Sequence, residues 1–131
     1  MAYLKPPVIT QKVFNPLARR LGAFGTETLV VRRRRSGTEQ LIPVIPVEHG
    51  GARHVVSTRG ESEWVRNVRA AGEVELRGKG SAQRFRAVEV PLAERAPIIA
   101  AYREKAGRTV ETYWKQLPDA ADHPVFRLEP A

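Results

Sequence analysis

Apolar residues along this chain fall into short runs whose spacing predicts an ordered series of strands and helices. Near the start, Asn15-Pro16 reads as a helix cap followed by proline at the first helical position, and Leu17, Leu21 and Phe24 continue an apolar stripe toward Gly25. The run TETLVVRR, Thr26 to Arg33, has the β-branched content of a strand, and Ser36-Gly37 turns the chain into EQLIPVIPV, which gives a first hairpin. Pro43 and Pro46 each remove a ladder donor, so this second strand is expected at a sheet edge or with a bulge.

His49-Gly50-Gly51 then turns the chain into a third strand, Arg53 to Thr58. A helix follows, capped by Ser62, with Trp64, Val68 and Ala71 as its apolar stripe and Gly72 as its stop. Glu73 to Arg77 and Gln83 to Val90 flank GKGS as a second hairpin. A longer helix runs through AERAPIIAAYREKAG, with Pro97 expected in its first turn. Val110, Tyr113, Trp114 and Leu117 mark a shorter helix, and HPVFRLEP reads as a last strand. About six strands with helices between and after the hairpins make an α+β pattern, which suits one small, mostly antiparallel barrel over residues 1–131.

Composition narrows the chemistry. With 131 residues, 42% of them hydrophobic, the chain suits one domain able to bury roughly two-thirds of its unfolded surface. No apolar run approaches a membrane span, and MAYLKPPVIT lacks the pattern of a signal peptide, so a cytoplasmic protein is expected. There are no cysteines, and His49, His54 and His123 show no ligand spacing, so neither thiol nor metal chemistry is expected. A formal charge of +8 from 22 Lys+Arg allows nucleic acid, an anionic membrane surface or a polyanionic small ligand as partner.

Two places carry candidate chemistry. Arg32 to Arg35, followed by Ser36-Gly37, stands at a strand exit where a turn exposes backbone N–H groups and guanidinium groups can grip phosphate or carboxylate in pairs. The same four arginines also read as a solvated edge that discourages strand pairing, and the residues alone leave both readings open. In the helix, Trp64 fits core packing, whereas Asn67 has poor helix propensity and should bond a specific partner, backbone or ligand.

In order and spacing, LVVRRRRSGTEQLIPV, GGARHVVSTRG and WVRNVRAAG resemble the deazaflavin-dependent nitroreductase family of actinobacteria, over roughly Leu29 to Val90. The resemblance implies a split β-barrel related to flavin reductases and pyridoxamine-phosphate oxidases, and an oxidoreductase that takes a hydride from the reduced deazaflavin coenzyme F420, with FMN the less favoured cofactor. It implies that Arg34, Arg35, Ser36 and Gly37 hold the coenzyme's phosphate and acidic tail. Val56, Ser57, Thr58, Arg59 and Gly60 would border the ring, with Arg59 adding to the anion site. Trp64 would wall and seat that loop, Asn67 would fix it, and Pro43 completes the expected cofactor-binding set.

Departures from the family pattern temper the expectation. Thr38, Glu39 and Gln40 stand where further positive charge is common in the family, and the C-terminal half lacks the tyrosine-rich substrate region of its nitroreductase branch, leaving Tyr102, Tyr113 and Trp114 as substitutes by location. The expected partner is a small-molecule hydride acceptor such as a quinone or nitro compound. A homodimer and a peripheral membrane contact through the N-terminal helix are further expectations. A non-catalytic barrel binding flavin or an apolar ligand is the alternative, and nucleic-acid binding through Arg32 to Arg35 and Arg66 to Arg69 ranks last, since no reader motif accompanies the arginines.

Overall fold

The stretch read as a single proline-bearing strand divides in two, and that division sets the architecture. In this computed structural model, which describes residues 25–131, β1 (Glu27–Arg32) pairs with β2 (Glu39–Val44), Ile45-Pro46 leaves the ladder, and β3 (Val47–His49) restarts at the opposite edge of the sheet. The helix expected before Gly25 lies outside the described residues. A proline without an N–H cannot continue a ladder inward, and both of these sit where no inward ladder is needed: Pro43 on an edge strand opposite Thr28, Pro46 between strands.

The remaining elements follow the expected order. They are β4 (Ala52–Val56), α1 (Glu63–Ala71), β5 (Glu73–Gly78), β6 (Ser81–Glu89), α2 (Leu92–Ala106), α3 (Arg108–Gln116), a short 3₁₀ turn (Ala120–Asp122) and β7 (Val125–Pro130). Seven strands, one more than the sequence suggests, form one antiparallel sheet in the order β2-β1-β5-β6-β7-β4-β3. The sheet curls into a half-barrel.

Strand alternation divides the apolar side chains between two layers. Leu29, Val31, Val44, Val55, Val74, Leu76, Phe85, Phe126 and Leu128, drawn from six strands, all pack with Val65 and Val68 of α1. Residues of six strands can share one core with a helix of nine residues only if the sheet curls around it, and the helix itself lies against β1, β5 and β6. On the other face Val47, Val56 and Val125 meet Ile98, Ile99 and Tyr102 of α2 and Val110 and Trp114 of α3. Neighbours Val125 and Phe126 point to opposite layers, as the two-residue period requires.

Two helix expectations need correction. The buried side of α1 is Val65, Asn67 and Val68, with Trp64 half-buried at its margin and Ala71 exposed. Turning about 100° per residue, the helix centres its apolar face on Val65 and Val68, and Trp64 reaches the core only from the side, against Phe126 at 6.1 Å. Pro97 lies in the second turn of α2, not the first, and is tolerated because Ala93 and Pro97 face solvent, where the Ala93 carbonyl can be hydrated. Ser62 stands at the cap position without a capping side-chain bond, while Gly72 at φ 73° ends α1 with its N–H on Val68.

A pH response follows from His54 on β4, which is 3% exposed beside His49 and has a pKa lowered from its ordinary value of 6.5, chiefly by burial. The unfolded chain binds this proton more readily than the folded one, so stability should fall as pH drops below about 6.5 and level off below the lowered folded value. The thermal midpoint, scanned from pH 8 to 5, is expected to drop more for the parent than for His54→Gln, because the variant lacks this titration.

Candidate functional site

The β1–β2 connection is built to present arginines without letting them roam. Its backbone closes through Arg33 N–H to the Thr38 carbonyl at 2.8 Å and Gly37 N–H to the Arg33 carbonyl at 3.0 Å, with Gly37 at φ 77°, a conformation only glycine adopts cheaply. Arg32 folds back on the Gly37 carbonyl at 3.0 Å, and Arg33 donates to the Thr38 hydroxyl at 3.0 Å and the Glu39 carbonyl at 2.6 Å. These two arginines therefore brace the turn. Ser36 spends its hydroxyl on Thr38, 2.8 Å from the threonine Oγ1.

Arg34 is held by α1. The side-chain oxygen of Asn67 accepts the Arg34 backbone N–H at 3.1 Å and its guanidinium at 2.8 Å, while the Asn67 amide nitrogen donates to the Gln40 side-chain oxygen at 2.8 Å. Asn67 is 3% exposed, so these bonds form away from competing water and occupy both ends of the amide. One side chain thereby ties both arms of the hairpin to the helix. The expectation that Asn67 fixes the Ser57–Gly60 loop is corrected, since its partners are Arg34 and Gln40. The sequence signal for a specific partner was sound, but the identity of that partner depends on the hairpin folding over α1.

Glu63, four residues before Asn67 and hence on the same helix face, completes the group. It accepts Arg34 at 2.9 Å, and this hydrogen bond holds its carboxyl below the ordinary carboxylate range. Arg33, Arg34, Arg35, Ser36, Gln40, Glu63 and Asn67 line a cleft of about 240 Å³. Among the described residues Arg35 makes no hydrogen bond or ion pair. An anion entering the cleft meets Arg35 directly and Arg34 in competition with Glu63. Glu63 and Gln40 are site residues that sequence reasoning missed, although the helical spacing of Glu63 and Asn67 was available to find the first.

The second sequence-predicted group, Val56 to Gly60, leaves β4 and leads into α1. Val56, Ser57 and Gly60 are buried, and Thr58 and Arg59 are partly open. Ser57 is 1% exposed, its hydroxyl donates to the Gly60 carbonyl at 2.6 Å and its N–H to the Pro124 carbonyl at 2.9 Å. Arg59 does not join the arginine turn. It donates to the Tyr113 hydroxyl at 2.9 Å with its guanidinium 4.9 Å above that ring, so it ties the loop to α3. Tyr102, by contrast, lies in the outer core 5.9 Å from Trp114, and burial raises its phenol pKa far enough to make it a poor acid.

The first turn of α1 joins the two groups: the Ser62 N–H closes on the Gly60 carbonyl at 2.8 Å, and Glu63 next to it reaches Arg34. Loop and cleft thus share one end of α1. Pro43 pairs with Thr28 in the sheet and does not line the cleft, and Trp64 seats between α1 and Phe126. Among the described residues no group of three His, Asp or Glu side chains could hold a metal ion, and no helix is long and apolar enough to cross a membrane.

Residues 9–118 match a family model described as F420H2-dependent quinone reductase. Among solved structures, a protein described as a domain-swapped dimer is 21% identical, with 92% of this chain and 99% of that chain covered and a TM-score of 0.63. An F420-H2 dependent reductase is 22% identical over 80% of this chain and 94% of its own, at a TM-score of 0.62. The heme storage protein HutZ of Vibrio cholerae shares the fold at 15% identity, 88% and 89% coverage and a TM-score of 0.62. No curated protein matches the chain significantly.

Two substitutions should move anion binding in opposite directions. Asn67→Leu strands the Arg34 N–H and the Gln40 amide, and is expected to cost about 2 kcal/mol in urea denaturation and to weaken sulfate binding. Glu63→Gln removes the competing carboxylate and should strengthen sulfate binding about threefold. Because Arg34 lowers the Glu63 pKa, the carboxylate stays charged from pH 7 to 5, so that advantage should persist across the range and close only as the parent's carboxyl protonates below it.

Proposed function

This chain belongs to the F420H2-dependent quinone reductase family, and we propose that it reduces a quinone, a nitro compound or a similarly electron-poor small molecule where the arginine turn and the Val56–Gly60 loop share the end of α1. As a member of that family it is an enzyme whose coenzyme is the deazaflavin F420. The observation that carries the reading is the Arg34–Asn67 contact, which fixes a guanidinium in the lining of a cleft that shares the start of α1 with the loop. The half-barrel is, in this reading, the split barrel of the deazaflavin and flavin oxidoreductases.

The residues present fit the coenzyme's anionic tail. Arg34 and Arg35 would grip its phosphate through charge-assisted bonds, with the turn held rigid by Arg32, Arg33 and Asn67 so that little ordering remains to be done on binding. Thr58 and Arg59, the open part of the loop, would border the ring, and buried Val56 and Gly60 would back it. The Ser57 hydroxyl is already committed to Gly60, so it seats the loop and leaves the ring contact to its neighbours. When bound, the reduced coenzyme supplies the hydride, and the protein needs no nucleophile of its own. Tyr113 accepts a hydrogen bond from Arg59, which leaves its own proton free to donate to an acceptor oxygen beside the loop. Pairing of two copies belongs to the same reading, since among the described residues β2 and β3 end the sheet with no further strand beside them.

The reading is tested by following reduced deazaflavin with menadione and a nitroaromatic as acceptors. The parent should consume the coenzyme in an acceptor-dependent way, and Arg34→Ala with Arg35→Ala should weaken coenzyme binding at least about tenfold. The thermal midpoint of the double variant should move by only about a few degrees, because these are turn residues. Undiminished affinity in the double variant would place the tail elsewhere, and tight binding without acceptor-dependent loss over a broad panel would sink the proposed reaction.

A further inference from the structure

His123 is fully buried, and its imidazole lies between the loop and α3. Its Nδ1 is 2.8 Å from the Ser57 carbonyl oxygen and its Nε2 is 2.6 Å from the Leu117 carbonyl oxygen at the end of α3; both oxygens only accept, so a neutral ring donates to one of them and only a doubly protonated ring to both. The ring is stacked on Trp114 at 4.1 Å and 12°, and Pro124 follows it, which restricts its backbone. Trp114 is itself held between Tyr102 and the Arg103 guanidinium. The imidazole therefore has almost no freedom of orientation.

We infer that His123 is a positioning residue for the loop that borders the coenzyme ring, acting through the Ser57–Thr58 peptide. This rests on the proposed role of Val56–Gly60. With a proton on Nδ1 of His123, Ser57 is fastened at all three of its polar groups, N–H to Pro124, hydroxyl to Gly60 and carbonyl to His123. The third bond is the one that sets the plane of the peptide leading into Thr58 and Arg59, the two open residues of the loop. A buried carbonyl without its donor would gain by rotating toward another, carrying Thr58 and Arg59 with it. Arg59 bonded to Tyr113 makes a second tie to the same helix, so loop and α3 are set as one body, and His123 supplies the tie nearest the strand.

The two nitrogens can be separated by substitution. In His123→Asn the amide nitrogen takes the place of Nδ1 and can still donate to Ser57, whereas in His123→Gln it takes the place of Nε2 and reaches Leu117. His123→Leu supplies neither donor. In the full chain, with reduced deazaflavin and menadione, kcat is expected to fall at least about tenfold in His123→Gln and His123→Leu, to recover to within about threefold of the parent in His123→Asn, and affinity for oxidised deazaflavin to stay near the parent's in all three because the arginine turn holds the tail. Hydrogen exchange of the unliganded proteins is the readout independent of turnover: the Thr58–Gly60 amides should lose protection in His123→Gln and His123→Leu and keep it in His123→Asn. Equal behaviour of the Asn and Gln variants in exchange, or losses that track thermal stability alone, would overturn the inference. Loss of loop protection in His123→Gln and His123→Leu, in a protein whose parent neither binds nor oxidises the coenzyme, would instead overturn the proposed function and leave the positioning role standing.

Discussion

One buried amide decides where the positive charge of this protein points. Without Asn67 the arginine turn would still be braced by Arg32 and Arg33, but Arg34 would be tied to the helix only by its ion pair with exposed Glu63. With Asn67, the turn is fastened to the helix that fills the half-barrel, and that helix is in turn fixed by Val65 and Val68 in a core to which six strands contribute. Core packing is thus transmitted to a surface charge chiefly through one buried side chain, and the geometry of the cleft is only as rigid as the barrel behind it.

The outer layer performs a similar service for the loop after β4. Here α2 and α3 pack on the opposite face of the sheet, and α3 holds the loop through Tyr113 and through the imidazole wedged behind Trp114. A separate ionic junction ties the layers together. Arg69 of α1 bridges Glu61 and Glu89, and Arg95 of α2 adds a second bond to Glu89 while its Nε reaches the Val90 carbonyl. The charge on both arginines is spent on internal carboxylates, which separates them in role from Arg34 and Arg35.

Much of this was legible in the sequence wherever the signal is local. Turn glycines, the periodicity of strands and helices and the basic Ser-Gly turn placed the elements, the edge strand and the arginine turn. What escaped was set by pairing between distant segments. EQLIPVIPV reads as one strand because nothing local says that Val47 belongs to the far edge, and the seventh strand was missed with it. Asn67 announced itself as an amide in need of a partner, but Arg34 and Gln40 become its neighbours only when the hairpin closes over α1. Arg59 turned to Tyr113 for a like reason: they stand 54 positions apart in the chain, and a cation follows the nearest partly open aromatic face and hydroxyl rather than the cluster of like charges. The helix face was misjudged by one residue at Trp64, whose size makes it look central when it lies at the margin.

The place of β7 carries a consequence for how the molecule comes to be. This strand, Val125–Pro130, sits between β6 and β4, and among the described strands it alone joins the β2-β1-β5-β6 block to the β4-β3 hairpin. Until that segment has been synthesised and is free to move, two half-sheets with exposed apolar faces coexist in one chain, Phe126 and Leu128 are missing from the inner core, and both fragments offer unpaired edges to other chains. Assembly must therefore be late and concerted, governed by a long-range closure rather than by the local hairpins, and the interval before it is when the nascent chain is most exposed to aggregation and to chaperones.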